Sequence, residues 1–178
     1  MADSKYEGPG LVPKRLAENN GALQRIMNGV PVPFFVQQEE MDWFKNSFQL
    51  YPDDVFVVTY PKCGTTWVQQ IVRLLRNNGQ QCDGLLEHAV PWIEGASTFG
   101  VDIDKLTRPR AFKSHMPYDL CPCGPPNTTP CKYIYVMRNP KDVAVSYHKY
   151  TKSFPLYPNE DWDTFWKKYT EGKMDFGD

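Results

Sequence analysis

The chain has 178 residues, with 20 Lys and Arg against 21 Asp and Glu, which gives a formal net charge of −1. This length fits one domain whose core can fold without disulfide support. A near-neutral charge argues against bulk binding to nucleic acid or to a membrane surface. Because 41% of the residues are hydrophobic and 23% are charged, the composition indicates a globular chain and excludes collagen, coiled coils, disordered tails and membrane bundles.

The cysteines and the N-terminus indicate the cellular compartment. The five cysteines are Cys63, Cys82, Cys121, Cys123 and Cys131. An odd, sparse set in a chain of this length is not a disulfide scaffold, and the spacing of the last three matches a zinc site poorly. The N-terminus does not look like a signal peptide, and the apolar stretches are too short to span a bilayer. We therefore expect a cytoplasmic protein with no metal and no nucleic-acid or membrane partner.

The first part of the chain predicts little regular structure. Residues 1–30 contain glycines and prolines that favour an irregular lead-in, with room for one short helix. We assign residues 31–178 to a single domain. The helical spacing of Met41 and Phe44 predicts a helix over Glu39–Phe48.

A strand, a tight loop and a helix follow. Val55–Thr59 is a short apolar run rich in β-branched residues, which is typical of a buried strand in a parallel sheet. Trp67–Asn77 has the periodicity of an amphipathic helix. Its predicted apolar face contains Val68, Ile71, Val72 and Leu75, and Arg73 and Arg76 are expected to face outward.

The loop between this strand and helix is predicted to bind an anion. The free backbone N–H groups and the positive end of the helix point at one spot. Lys62 adds a positive charge, Thr65 and Thr66 add hydroxyl donors, and Gly64 permits a close backbone approach. The loop is not a Walker A motif, because its lysine precedes the glycine. An anion-binding loop would repel a thiolate, so Cys63 is not a predicted nucleophile. The alternative is a tight connection with a surface lysine.

The same order of elements recurs further along the chain. Tyr133–Met137 predicts a strand, and the helix that follows extends from Pro140 to Thr151. Arg138 lies at the carboxyl end of the strand, where ligands bind in α/β proteins, and its guanidinium could fork onto a phosphate. Ser146 lies within the helix and could face the same group. The alternatives are an ordinary ion pair and a serine on the helix surface.

A third strand carries a candidate general base. Arg110–Ser114 predicts this strand, and His115 follows it at the sheet edge that holds both anion loops. His88 and His148 have no comparable setting and are predicted to be structural or surface residues. A last helix is predicted over Asp161–Glu171. The alternation of strands and helices predicts an α/β fold with a largely parallel sheet flanked by helices.

Four segments, taken together, resemble the motifs of the cytosolic sulfotransferase family. Thr59–Trp67 is similar to the family's 5′-phosphosulfate loop, with Cys63 in place of the usual serine. Val90–Glu94 is similar to a segment that lines the acceptor pocket, and Phe112–Pro117 to the segment with the catalytic histidine. Tyr133–Ser146 is similar to the 3′-phosphate motif. The resemblance extends from about residue 28 onward.

The resemblance implies the sulfotransferase fold and a reaction. The family transfers a sulfuryl group from 3′-phosphoadenylyl sulfate (PAPS) to a hydroxyl or an amine, without a metal. By position, Lys62 would stabilise the leaving phosphate, His115 would take the acceptor's proton, and Lys113 would stabilise charge on the transferring group. The residues implied to bind PAPS are Lys62, Cys63, Gly64, Thr65, Thr66, Trp67, Arg138 and Ser146.

The acceptor stays open at this stage. The resemblance implies a small molecule, which could be a phenol, an alcohol, a steroid or an amine. The aromatic residues that could help to form an apolar pocket are Phe34, Phe35, Trp92, Phe99 and Phe154. Core packing is the more common use of such residues.

The sequence also departs from the family. The family has a C-terminal segment with an Arg-Lys-Gly element and a dimer motif, and the chain matches neither. We therefore expect a C-terminally incomplete sulfotransferase, which could form a homodimer only as part of a longer chain. One alternative is an inactive fragment that keeps partial nucleotide binding. Another is a P-loop kinase, which the displaced lysine disfavours.

Overall fold

The computed structural model describes residues 6–7, 12–13, 24–121, 129–154 and 157–177. Its strands are β1 (Tyr6–Glu7), β2 (Val12–Pro13), β3 (Gln24–Met27), β4 (Val30–Pro33), β5 (Val55–Thr59), β6 (Ala111–Ser114) and β7 (Lys132–Val136). Its α-helices are α1 (Gln38–Asn46), α2 (Thr65–Arg76), α3 (Leu86–Ala89), α4 (Pro140–Ser153) and α5 (Trp162–Thr170). Each helix and strand predicted after residue 30 is present, with bounds that differ by at most two residues. The short helix allowed for in the lead-in would fall on residues outside the described ranges.

A parallel sheet forms the centre of the fold. Its three strands have the order β6-β5-β7, and β5 pairs in parallel with both neighbours. Phe56 and Val57 are completely buried, so β5 is covered on both faces, as a central parallel strand requires. The predicted α/β class and parallel sheet are confirmed.

Two clusters of apolar side chains cover the two faces of the sheet. An aromatic cluster contains Phe44, Phe48, Phe56, Ile93 and Phe112. A smaller aliphatic cluster joins α2 to the sheet through Val57, Val72, Val90 and Ala111. The loops at the carboxyl ends of the strands are thereby held on a packed support, which positions the site described below.

The predicted apolar face of α2 is only half correct. Val72 is buried, but the side chains of Ile71 and Leu75 are 41% and 73% exposed. Arg73 does not project into solvent, because its guanidinium donates to the carbonyl of Cys82 at 2.7 Å. Periodicity identified the helix correctly. Only the packing of the neighbouring loops decided which of its sides is covered.

The predicted irregular lead-in is wrong for its last residues, because β3 and β4 form an antiparallel hairpin. Asn28 and Gly29 connect the strands with φ angles of 49° and 84°. An Asn-Gly pair with two positive φ angles matches the twist of a two-residue hairpin turn. The dipeptide was a usable sequence indication of this hairpin.

The amino end of the sheet is held by a buried ion pair. Arg110 precedes β6 and donates to Asp54, which precedes β5, at 3.0 and 2.6 Å. Both side chains are buried. Next to this pair, the exposed Arg108 forms a salt bridge with Asp53 at 2.7 Å.

Candidate functional site

The loop after β5 turns the chain sharply into α2. Lys62 and Gly64 both adopt left-handed backbone conformations, with φ angles of 68° and 103°. A Cβ atom added to Gly64 would meet nothing within 4 Å, so the backbone conformation alone favours glycine there. Gly64 is the N-cap of α2, and no side chain caps this end. The first-turn N–H groups are therefore available to a ligand.

A cavity of about 430 Å³ lies against this loop. It is lined by every residue that the sequence predicted for the site except Cys63. These residues are Lys62, Gly64, Thr65, Thr66, Trp67, Lys113, His115, Arg138 and Ser146. They come from all three parallel strands or the loops and helices that follow them. The sheet therefore brings together groups that are far apart in sequence.

Three cations face this cavity, and none forms a salt bridge within the described parts of the chain. The Nζ atoms of Lys62 and Lys113 lie 4.3 Å from the Tyr150 ring centre and 4.9 Å from the Trp92 ring centre, respectively. Arg138 Nη1 donates to the carbonyl of Lys62 at 3.2 Å. Burial lowers the pKa of both lysines, and the charge of Arg138 lowers that of Lys62 further. An anion would relieve this concentration of positive charge.

The polar residues of the first loop differ in accessibility. The buried Thr65 hydroxyl is hydrogen-bonded to the Thr59 hydroxyl, whereas Thr66 is exposed. Trp67 is 74% exposed. Burial raises the pKa of the Cys63 thiol, which agrees with the argument against a thiolate nucleophile. Ser146 is half-buried on α4.

His115 is held in one tautomer. Its Nδ1 atom lies 2.8 Å from the carbonyl oxygen of Thr59, and a carbonyl can only accept, so Nδ1 carries the proton. Nε2 is then the nitrogen left for a ligand. Burial and the charge of Lys113 lower the pKa of His115 to about 3. The imidazole is therefore neutral near pH 7.

Sequence reasoning missed part of the cavity wall. Tyr150, Tyr157, Asp175 and Phe176 line the cavity. The buried Asp175 carboxylate accepts hydrogen bonds from the Tyr157 hydroxyl and from Gln24 Nε2, and burial raises its pKa. Tyr150 lies four residues after Ser146 on the predicted helix, so helical spacing could have indicated it. Tyr157, Asp175 and Phe176 belong to no motif or periodic pattern, so only the fold could reveal them.

Four of the five predicted aromatic pocket residues pack against one another, and Phe154 lies apart from them. Trp92 lines the cavity and stacks on Phe99, with ring centres 6.0 Å apart. Phe34 and Phe35 belong to a buried core cluster. Phe154 stacks on Tyr150.

Within the described residues, no three side chains of His, Cys, Asp or Glu form a group that could hold a metal ion. Cys123, one of the cysteines considered for zinc, lies outside the described residues. Across the same part of the chain, no helix combines the length and apolar character that crossing a membrane requires.

Residues 52–178 match the family described as "Sulfotransferase domain". The chain belongs to the sulfotransferase family. The chain is 35% identical to "Sulfotransferase 1 family member D1" of Rattus norvegicus over 160 residues, which cover 85% of this chain and 53% of that protein. It is 39% identical to "Amine sulfotransferase" of Oryctolagus cuniculus over 135 residues, which cover 72% and 44% of the two proteins. This sulfotransferase chain thus spans about half the length of the curated relatives it matches.

Solved structures show the same fold. Mouse sulfotransferase SULT7A1 complexed with PAP superimposes with a TM-score of 0.71 at 28% identity, covering 88% of this chain and 54% of that one. Retinol dehydratase, in complex with androsterone and inactive cofactor PAP, gives a TM-score of 0.65 at 20% identity and covers 83% and 53% of the two chains. The predicted family and fold are therefore confirmed.

Proposed function

We propose that the protein binds PAPS and transfers its sulfuryl group to a hydroxyl or an amine of a small molecule. The observation that carries this proposal is the cavity at the carboxyl edge of the sheet. There each parallel strand contributes a cation, through Lys62, Lys113 and Arg138, beside the neutral His115. Cationic side chains and helix-end amides can stabilise phosphate and sulfuryl oxygens without a metal.

The nucleotide would be held by both anion loops. We assign the 5′-phosphate to the amides and hydroxyls at the start of α2, where Gly64 and Thr66 are accessible. Arg138 and Ser146 would hold the 3′-phosphate, and Trp67 would stack on the adenine. The structural neighbour that is complexed with PAP supports this class of ligand.

The transfer itself needs positioning and charge stabilisation. The acceptor oxygen or nitrogen would form a bond to sulfur while the bond from sulfur to the phosphate oxygen breaks. His115 Nε2 would accept the acceptor's proton, Lys113 would stabilise charge on the sulfuryl oxygens, and Lys62 would stabilise the leaving phosphate. A bound anion raises the pKa of a nearby histidine, which would bring His115 closer to the range of an effective base.

The acceptor side of the cavity has aromatic walls. Trp92 and Phe176 both pack against the His115 ring, with ring centres 5.4 and 5.3 Å away. Such walls suit a flat apolar acceptor such as a phenol, a steroid or an aryl amine. The name of one relative and the androsterone in one structural neighbour support a small-molecule acceptor.

The four described cysteines are all free, which supports a reducing, cytoplasmic setting.

Calorimetric titration with 3′,5′-adenosine diphosphate (PAP), with ATP as the control ligand, tests the nucleotide site. We expect clear preference for PAP. In the Arg138→Ala variant, the preference for PAP over 5′-AMP should fall by about 10- to 100-fold, the usual range for a lost charge-assisted hydrogen bond. Lys149→Ala, at an exposed cation on the helix α4 that follows this loop, is the matched control. Equal binding of PAP and ATP would exclude the proposed site.

Turnover with PAPS and a simple phenol or aryl amine tests the reaction. We expect sulfated product, detected by mass spectrometry, from the wild-type chain. Lys62→Ala and His115→Ala should each abolish it, while His88→Ala, a change at an exposed histidine, should not. Full activity in both site variants would reject the proposed roles.

A further inference from the structure

The Glu94 carboxylate is completely buried next to the candidate base. It lies in the short 3-10 helix Ile93–Gly95 and has no exposed surface. Its Oε1 atom accepts hydrogen bonds from the backbone N–H groups of His115 and Met116 at 2.9 and 3.1 Å. The Ser114 hydroxyl donates to the same oxygen. One carboxylate oxygen thus holds three consecutive residues around the candidate base.

Glu94 continues a hydrogen-bonding pattern that the backbone cannot complete. Just before it, Trp92 and Lys113 form an isolated parallel bridge, and Lys113 N donates to Pro91 O at 2.8 Å. The chain then turns into the 3-10 helix and leaves the edge of β6. From there the Glu94 side chain supplies the acceptor that a neighbouring strand would otherwise provide for His115 and Met116.

The opposite side of His115 is fixed by β5. Nδ1 donates to Thr59 O at 2.8 Å, while the ring packs edge-on against Trp92. The imidazole can keep the bond to Thr59 only if its own backbone stays in place. That backbone position depends on the hydrogen bonds to Glu94.

The second oxygen of Glu94 makes this residue unusual. Oε2 is buried and has no hydrogen-bond partner among the described residues. A buried polar atom without a partner costs free energy, so stability alone does not account for a carboxylate here. Burial also raises the pKa of Glu94. The benefit must come from what Oε1 holds in place.

We propose that Glu94 is a positioning residue for His115. The hydrogen bonds from the His115 and Met116 backbone to Glu94 keep the imidazole neutral, with Nδ1–H bonded to Thr59 O and Nε2 directed to the cavity. The importance of Glu94 for sulfuryl transfer rests on the proposed function, whereas the positioning does not. The charged groups that line the cavity with His115 are Lys62, Lys113, Arg138 and Asp175, and the titratable tyrosines there are Tyr147, Tyr150 and Tyr157. Glu94 lies behind the His115 backbone.

Nitrogen NMR of the histidine side chains tests this proposal without PAPS or turnover. In the wild-type chain we expect the His115 Nδ1–H tautomer with no titration between about pH 5 and 8. Glu94→Ala should produce mixed tautomers and move the pKa of His115 from about 3 toward its ordinary value of 6.5. Glu94→Gln keeps one carbonyl acceptor and should retain the wild-type behaviour. The exposed His88 is the internal control, and His115→Asn assigns the signals.

A matched control separates anchoring of the backbone from a general loss of packing. Ser114→Ala removes the side-chain donor to Oε1 but leaves both backbone N–H donors. It should leave the tautomer of His115 unchanged. A folded Glu94→Ala chain with wild-type His115 titration overturns the proposal. If Glu94→Ala does not fold, the Glu94→Asp variant provides the test, because its shorter side chain should no longer reach the His115 backbone. Unchanged titration of His115 in Glu94→Asp would equally contradict the proposal.

Kinetics then distinguish this proposal from the proposed function. Where the wild-type chain turns over, Glu94→Ala should lower kcat by about 10- to 100-fold with an unchanged Kd for PAP, and Glu94→Gln should restore most of it. A wild-type chain that neither binds PAP nor turns over would reject the proposed function, while the NMR result would still decide the role of Glu94.

Discussion

Positive charge is arranged differently at the two ends of the β6-β5-β7 sheet. At the amino end, Arg110 forms a buried, doubly hydrogen-bonded pair with Asp54. At the carboxyl end, Lys62, Lys113 and Arg138 line one cavity, and no carboxylate of the described residues lies within salt-bridge distance of any of them.

This difference separates stability from binding. A buried cation that is paired completes the fold, and removal of its partner leaves an uncompensated charge. Unpaired cations in a cavity repel one another and are desolvated, so they contribute little to stability. The proposed anionic ligand would complete the charge balance at these cations. Variants at the two ends should therefore change different measured quantities.

The largest expected effect is at the amino end. Asp54→Ala should lower the free energy of unfolding by about 3–5 kcal/mol, because the buried Arg110 guanidinium loses its partner. Urea denaturation followed by circular dichroism measures this loss. The control is Asp53→Ala, since that carboxylate pairs with Arg108 at the exposed surface and should change stability little. Equal losses in both variants would contradict the contrast between buried and exposed pairs.

At the carboxyl end, Lys62→Ala should lower affinity rather than stability. We expect PAP binding to weaken by about 10- to 100-fold, with the unfolding free energy unchanged or slightly higher, because repulsion from Arg138 is relieved. Calorimetry and urea denaturation of the same sample provide both values. The control is Lys132→Ala, at the start of β7, where Nζ donates to Pro52 O at 3.1 Å. A stability loss without an affinity loss would reverse the assignment of this end.

Two glycine substitutions distinguish the effect of backbone strain from the effect of ligand binding. Gly64→Ala and Gly79→Ala should each cost about 1–2 kcal/mol of stability, because an alanine is strained in the left-handed region. Both sites are open, with nothing within 4 Å of an added Cβ atom. PAP binding should be weakened only in Gly64→Ala, which distorts the start of α2. Similar PAP affinities in the two variants would argue against binding by these amides.

Near neutral pH the smallest expected effect is a pH dependence, which grows as the pH falls below 6.5. The pKa of His115 is about 3 in the folded chain against an ordinary value of 6.5, so between these values the unfolded chain binds a proton that the folded chain does not. His115 therefore adds stability above pH 6.5 that is lost as the pH falls. The slope is about 1.4 kcal/mol per pH unit. His115→Asn should remove this slope, which urea denaturation at several pH values measures. The same slope in the wild-type and His115→Asn chains would mean that His115 is not buried as a neutral group.

Much of the fold and of the site was predictable, because the decisive features are local. The apolar run of β5, the left-handed glycine after it and the periodicity of α2 lie within a few consecutive residues. Carboxyl ends of parallel strands share one edge, so the convergence of Lys62, His115 and Arg138 followed from the order of the elements. The hairpin at Asn28–Gly29 had a local indication too.

Only the tertiary structure decided how the site is supported. Asp175 and Phe176 reach the cavity from beyond α5, and Glu94 reaches behind His115 from an adjacent segment. No periodicity links such positions, because their contacts depend on how distant segments pack and on which polar atoms remain without solvent. The sequence by itself determined the element order and the charges at the carboxyl edge. Packing determined which of those groups are neutral, buried or exposed, since desolvation depends on neighbours that are distant in sequence.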